Sequence, residues 1–462
     1  MEINWAHVGT DPLWGYRMPC TFPTATRFSV SLQHSCVALV VLLRLASALT
    51  LAASCAAQTT SSLTLENCVQ LAIDAPSSVV SARQQVLIAK YGITAARAGF
   101  LPQLAIASTF TYNSPLRDSN GVPSFVALNG IHEYSALGAV NLNLDTSGRT
   151  RAALSRAKAD LAIANVNLDI SRRDLRLLVT TAYYRLLLAR RLVQVSRDTL
   201  AEAQSFATRT EALYKGGEVA QADVFKASTD VAFQQQNLNN AELEAQIANH
   251  DLAAFWTADV SQALDIVDTL ESAPALPDLP QANTRPFLRR FEFNLFDAQR
   301  TGFLADARRA RGDLLPQLNF TFQYGLDSTQ LTAKDRGSAA FVRLDIPVFD
   351  WFRARSSAQQ FRLQANQVST ARQEAERAFS RDYQDALTRV NQIYQQLTLT
   401  ETQVRLSTEN LRLARVRYEG GEGLALDVVA AQNQLAQARA NAVTAKASYL
   451  NARADLEVAA GR

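Results

Sequence analysis

Residues that commonly bind metals or form cross-links are scarce in this chain of 462 residues. It contains four cysteines, four histidines and two methionines. The sequence has no Cys-x-x-Cys or His-Glu-x-x-His motif, no nucleophile elbow and no dinucleotide-binding loop. We therefore expect no disulfide framework, no resident metal and no cofactor, and the chain does not have the motifs of an enzyme.

The chain also has no large excess of positive or negative charge and few helix-breaking residues. The net charge is +3, basic and acidic residues are interspersed, and no basic patch of the kind that binds nucleic acid is present. There are 18 glycines and 13 prolines, whereas alanine, leucine, glutamine and arginine are abundant. This composition favours long helices.

No uninterrupted apolar run reaches the ~20 residues of a membrane-spanning helix, apart from a marginal one near the N-terminus. Residues 1–57 are interpreted as a leader, since an apolar core is followed there by small residues. Arg44 splits that core, which suggests a translation start one or two residues earlier and a mis-assigned extension before it. Cleavage after Ala56 or Ala57 is expected; the alternative is lipidation of Cys55, in an imperfect lipoprotein box.

Three segments recur in the same order in both halves of the mature chain, which identifies a tandem duplication. The pairs are residues 96–112 with 307–324, residues 140–154 with 344–358, and residues 213–225 with 417–429. The predicted repeats cover residues 58–260 and 286–462. The prolines between them forbid a continuous helix and mark residues 261–285 as a linker.

Each repeat contains two stretches in which apolar and polar residues alternate. Period two predicts strands with one apolar face, at about residues 103–113, 134–144, 317–325 and 340–349. The alternative is an amphipathic strand of a soluble sandwich. However, only four strands are predicted in an otherwise helical chain, and their apolar faces carry aromatic residues. This pattern favours membrane strands that face lipid on one side and water on the other.

Long helical patterns surround these strands. A first helix is predicted at 65–98, and uninterrupted helices at about 151–214 and 354–418. Both long helices carry seven-residue spacing, as in Tyr383, Val390, Leu397, Val404 and Leu411, which is typical of coiled coils. A helix of ~65 residues is about 100 Å long. A structural coiled coil is the alternative interpretation, although it leaves the amphipathic strands unexplained.

Four strands cannot by themselves cross a membrane. An open sheet edge has N–H and C=O groups that find no partner in hydrocarbon, and the smaller barrels have about eight strands. The chain is therefore expected to oligomerise, with two copies giving eight strands and three giving twelve.

The segments "LYKGGEVAQADVF" and "RYEGGEGLALDVV" follow the two long helices. Because glycine tolerates positive φ, Gly216-Gly217 and Gly420-Gly421 can end each helix and reverse the chain. Each segment is thus predicted to be the tip of a helical hairpin.

Taken together, these features resemble the TolC-like outer-membrane efflux protein family. The residues that carry the resemblance are the two LPQL segments (101–104 and 315–318), "PVFDWFRAR" (347–355) and the paired hairpin tips. The resemblance implies a mainly α fold with membrane β-structure. Three copies would share a twelve-stranded outer-membrane barrel and a periplasmic barrel of helices, with the linker near an equatorial belt.

The resemblance also implies a function. The chain would be the passive exit duct of a tripartite efflux or type I secretion system. Its partners would be outer-membrane lipid, a periplasmic adaptor and an inner-membrane pump, and its cargo would be small molecules, drugs or secreted products. The alternative is a structural coiled-coil envelope lipoprotein without a pore.

Specific residues follow from the same resemblance. The adaptor-contact positions at the tips are Tyr214, Gly216, Gly217, Tyr418, Gly420 and Gly421. Asp223 and Asp427 match acidic positions of the pore and gate. Lys226, Ala430 and Gly423 depart from the family pattern and put the gate chemistry in doubt. The alternative role for both aspartates is capping of a helix N-terminus, where a carboxylate is stabilised by backbone N–H groups.

Overall fold

The computed structural model describes residues 62–114, 131–270 and 285–461. The predicted leader, with Cys55, and most of the predicted linker lie outside these residues. The first repeat contains α1 (Leu65–Asp74), α2 (Ser78–Ala98), β1 (Gln103–Tyr112), β2 (His132–Leu144), α3 (Arg149–Lys215) and α4 (Gln221–Ala253). The second contains a 3-10 turn (Pro286–Arg289), α5 (Phe291–Gly312), β3 (Gln317–Ser328), β4 (Arg336–Asp345), α6 (Arg353–Glu419) and α7 (Ala425–Ala459).

The two repeats present their helices and strands in the same order, so the predicted tandem-repeat fold is confirmed. The described helices include none that is both long and apolar enough to cross a bilayer. The first helix differs from the prediction, because it is divided into α1 and α2. Pro76 lies at the division, where its missing N–H and its ring exclude helix and leave Ala75 extended.

The four strands form one antiparallel sheet in the order β1-β2-β3-β4. The alternation predicted from the sequence places polar residues on one face, where Thr321 Oγ1 donates to Asn141 Oδ1 at 2.9 Å. The opposite face exposes apolar side chains such as Leu104 and Ile106. The last strand ends at Asp345 and not at residue 349, because Pro347 has no N–H to donate to the ladder.

The long helices pack as two antiparallel hairpins, α3 with α4 and α6 with α7, and α5 packs against both long helices. At about 1.5 Å per residue, the 67 residues of α3 or α6 span about 100 Å. Along α6 the seven-residue series lies inward, with Tyr383, Val390, Leu397 and Leu411 buried. Coiled-coil packing is therefore confirmed.

The largest apolar core lies midway along the hairpins, around Tyr183, Leu186, Leu252 and Tyr449. A short bridge between Leu63 and Ile266 lies against it. The hydroxyl of Tyr183 donates to the carbonyl oxygen of Val267 at 2.7 Å. The described part of the predicted linker, residues 261–270, thus packs on the helices.

A buried ion cluster joins the two repeats beside this core. Arg173 of α3 donates to Glu292 of α5 at 2.9 Å, and Arg290 donates to the same carboxylate at 3.0 Å. The Arg290 guanidinium also lies 3.8 Å from the centre of the Phe379 ring. Burial alone would raise the pKa of Glu292, but the hydrogen bonds from Arg173 and Arg290 lower it to about 2.

We predict that Glu292→Gln lowers the free energy of unfolding by about 3 kcal/mol, because two buried guanidinium groups lose the carboxylate they share and Arg173 keeps only the more exposed Asp174. The folded-state pKa lies below the ordinary value of 4.5. The wild-type advantage is therefore complete above pH 4.5 and disappears as the pH falls through about 2. Thermal unfolding of both proteins across this pH range measures the effect.

The control is Glu242→Gln, which removes the exposed partner of Arg197 and should change the free energy of unfolding little. Equal losses in the two variants would contradict the prediction.

Candidate functional site

The paired glycines end the long helices as predicted. The first of each pair, Gly216 or Gly420, keeps right-handed backbone angles and donates its N–H into the last helical turn. The second, Gly217 or Gly421, has a φ of 77° or 76°. Only this second position needs glycine for its backbone, since side chains disfavour the left-handed region.

The two tip tyrosines occupy different environments. Tyr214 is 42% exposed, whereas Tyr418 is 4% exposed. The Tyr418 ring packs edge-to-face on Phe206 at 5.2 Å, in an apolar cluster that joins the two hairpins and includes Ala227 and Val428. The side chain of Tyr418 is therefore enclosed within the protomer, whereas that of Tyr214 reaches the surface. Adaptor contact stays a prediction for both tip positions.

The hydroxyl of Tyr418 lies among polar groups of the first hairpin. Burial raises the pKa of Tyr418, the nearby Thr210 hydroxyl lowers it, and the nearby Asp223 carboxylate raises it. Asp223 is half-buried in the first turn of α4. Its carboxylate is thus close enough to Tyr418 of the other hairpin to influence the pKa of that hydroxyl.

Asp427 has a different set of contacts. Its side chain is exposed, and Oδ2 accepts a hydrogen bond from the Leu424 N–H at 3.4 Å. Leu424 precedes the first residue of α7, so the carboxylate closes the N-terminus of that helix. Capping therefore has direct structural support at Asp427, and its exposure leaves the charge available to solvent.

Gly423 lies in a tightly packed part of the second tip. A Cβ added there would lie 3.0 Å from the Tyr418 nitrogen and 3.2 Å from the Arg417 Cβ. The Gly423 N–H donates to the Arg417 carbonyl at 3.1 Å. In the first tip the matching residue is Val219, which packs against the apolar cluster between the hairpins.

Polar contacts between the hairpins were not predicted. Glu202 accepts from Arg439 at 3.0 Å, and Arg415 lies 3.7 Å away. The buried amide of Gln432 donates to the Glu202 carbonyl at 3.2 Å. These partners are separated by up to 237 positions along the chain, so no local sequence pattern indicates them.

The described residues include no group of three or more histidine, cysteine, aspartate or glutamate side chains that could hold a metal ion. His132 lies at the first position of β2, where its ring packs near Phe110 and Tyr112. Its contacts are those of a sheet residue.

Paired long hairpins joined to a four-stranded amphipathic sheet define an outer-membrane channel fold. A membrane protein from Pseudomonas aeruginosa has this fold, with a TM-score of 0.75, 21% identity and coverage of 86% of this chain and 90% of that one. The outer membrane channel CmeC of Campylobacter jejuni also has a TM-score of 0.75, with 15% identity and coverage of 86% and 85%.

Sequence comparison then gives the family. Residues 68–258 and 289–462 match the family described as outer membrane efflux protein. Nodulation protein T of Rhizobium leguminosarum bv. viciae is 23% identical over 389 residues, which cover 83% of this chain and 78% of that protein. The chain belongs to the outer membrane efflux protein family. It is an outer-membrane efflux channel, as its sequence predicted, and its family and fold are those of channels rather than enzymes.

We predict that the two tip tyrosines respond differently to truncation. Tyr418→Ala should reduce local stability of the hairpin tips by about 3 kcal/mol, because it leaves a cavity beside Phe206. Tyr214→Ala, at the matching position of the other repeat, should change that stability less, since the Tyr214 side chain is already 42% exposed. Hydrogen exchange of the tip amides measures both effects. Equal loss of protection in the two variants would refute the assignment of Tyr418 to the core.

Proposed function

We propose that three copies of this chain form one continuous passive duct through the outer membrane and into the periplasm. It would receive small molecules, drugs or secreted products from a periplasmic adaptor and an inner-membrane pump of a tripartite efflux or type I secretion system. The sequence has no phosphate-binding loop motif, so the energy for transport would come from the pump.

The observation that carries this proposal is the pair of open sheet edges. β1 pairs only with β2, and β4 only with β3, within the described sheet. In hydrocarbon these edges need partners. β1 and β4 run in opposite directions, so β4 of one copy can continue the antiparallel order against β1 of the next. Three sheets of four strands would give a closed ring of twelve.

The hairpin tips would then meet around the periplasmic mouth. Tyr214 and the turns at Gly216-Gly217 and Gly420-Gly421 are exposed and available to an adaptor. Asp427 is exposed at the same end of the molecule, and threefold repetition would place three carboxylates around the pore. Such a ring favours cations over anions. In this proposal Asp223 acts from a different position, near Tyr418 and through its charge.

The charge at position 427 can be tested separately from its capping role. Asp427→Asn removes the charge but keeps a side-chain acceptor for the Leu424 N–H, whereas Asp427→Ala removes both. We predict that both variants lose cation preference in planar bilayers and that only the alanine variant loses stability at the tip. Unchanged ion selectivity in Asp427→Asn would reject the acidic ring. A wild-type protein without any conductance would favour the structural coiled-coil alternative.

A further inference from the structure

The junction between β4 and α6, residues 346–355, carries an exposed aromatic group. The rings of Phe349 and Trp351 meet edge-on at 5.0 Å, and those of Phe349 and Phe352 at 5.8 Å. Trp351 is 84% exposed, and the other two rings are also largely exposed. These rings therefore pack on one another more than on the rest of the chain.

Two of these aromatic residues have an unfavourable backbone conformation. Trp351 has a φ of 54° and Phe352 a φ of 62°, and no other non-glycine residue in the described ranges has positive φ. The matching helix cap of the first repeat is Gly148, whose φ is 74°. Both repeats thus use the same left-handed cap, but the second places an aromatic side chain where glycine would be favoured.

Two arginines follow the cap in each repeat. In the first repeat, Arg149 pairs with Asp313 at 3.0 Å and Arg151 with Asp145 at 3.0 Å. Burial alone would raise the pKa of Asp145, but hydrogen bonds from the Arg151 side chain and the nearby backbone lower it. The arginines of the first junction are thus neutralised within the protomer.

The second repeat retains the arginines without these partners. Arg353 and Arg355 are exposed, and Phe349 stands where the first repeat has Asp145. Across residues 62–114, 131–270 and 285–461, no carboxylate lies within the 4.0 Å ion-pair distance of either guanidinium. The one carboxylate of the junction, that of Asp350, accepts the Ala354 N–H at 2.8 Å. The junction therefore combines exposed aromatic rings with two arginines that form no ion pair within the described residues.

The apolar face of β4 leads directly into this junction. Val342, Leu344, Ile346 and Val348 continue one alternating series, and all four are more than half exposed. In an outer-membrane channel this face is turned to lipid, and the junction lies where the sheet meets the periplasmic helices. The junction thus continues the lipid-facing surface to the edge of the bilayer.

We propose that the junction is a binding site for phospholipid headgroups of the periplasmic leaflet. The three rings occupy the interfacial region, where amphipathic aromatic groups are favoured. Arg353 and Arg355 pair with lipid phosphates, which match the planar donor array of guanidinium. This inference rests on the proposed function, because it takes the sheet to be embedded in the outer membrane.

A second copy of the chain would not supply the missing counter-charge. The elements that a neighbouring copy would bring beside β4 and α6 are β1 and α2. Residues 75–114, which include both, contain no aspartate or glutamate. Phosphate therefore fits the two arginines better than this neighbouring surface does.

Tryptophan fluorescence can show where the junction lies relative to the bilayer. The chain has four tryptophans, and replacing Trp5, Trp14 and Trp256 with phenylalanine leaves Trp351 alone. This protein is reconstituted in phosphatidylcholine vesicles that contain phosphatidylglycerol, with one lipid brominated at a time. We expect both brominated lipids to quench Trp351. The anionic lipid should be enriched around it, by about fivefold for each arginine that pairs with it.

Arg353→Gln with Arg355→Gln should remove the enrichment of phosphatidylglycerol while Trp351 stays quenched by bromolipid. Arg405→Gln, an exposed arginine of α6 far along the chain, is the control and should leave the enrichment intact. Quenching without enrichment in the parent protein would overturn the phosphate site. Quenching of Trp351 by aqueous iodide alone would place the ring in water. Quenching by neither iodide nor bromolipid would place it against another copy. Either result would also overturn the proposed phosphate site. Conductance of the same sample shows separately whether the channel itself is formed.

Discussion

The unpaired edges of β1 and β4 are the constraint on which the rest of this structure depends. The outward-pointing backbone N–H and C=O groups along these edges would be costly in hydrocarbon without a partner. In the proposed assembly, other copies of the chain extend the sheet and keep its polar and apolar faces aligned. Symmetry then extends to the helices, because each strand pair leads directly into a helix of about 100 Å. In the proposed trimer, the long coiled coils and the open sheet therefore share one symmetry.

The two repeats share a backbone and differ in what their side chains do. Both tips reverse at a left-handed glycine, yet Tyr418 fills the space between the hairpins while Tyr214 stays at the surface. Both junctions start a long helix at a left-handed cap, yet only the second carries aromatic rings there. The two repeats therefore share turn and helix-cap conformations, whereas individual side chains have diverged and lie in different environments.

Much of the fold could be predicted because its signals are local. Seven-residue spacing indicated the coiled coils, and alternation indicated the strands. The errors have local causes as well: Pro76 divides the first helix, and Pro347 follows the end of β4. The candidate site was less predictable. The burial of Tyr418 and the contacts of Glu202 depend on how the hairpins pack together, which a repeated motif does not specify.

Cross-linking of β1 to β4 tests directly whether three copies of the chain close the sheet. In a chain whose own cysteines are replaced by serine, one cysteine is introduced at Ala339 of β4 and a second is scanned along β1. If three copies close the sheet, one alignment gives disulfides between copies and the denatured products end at three linked chains. Linked products that continue beyond three chains, or no linkage at any position in membranes, would contradict a sheet closed by three copies.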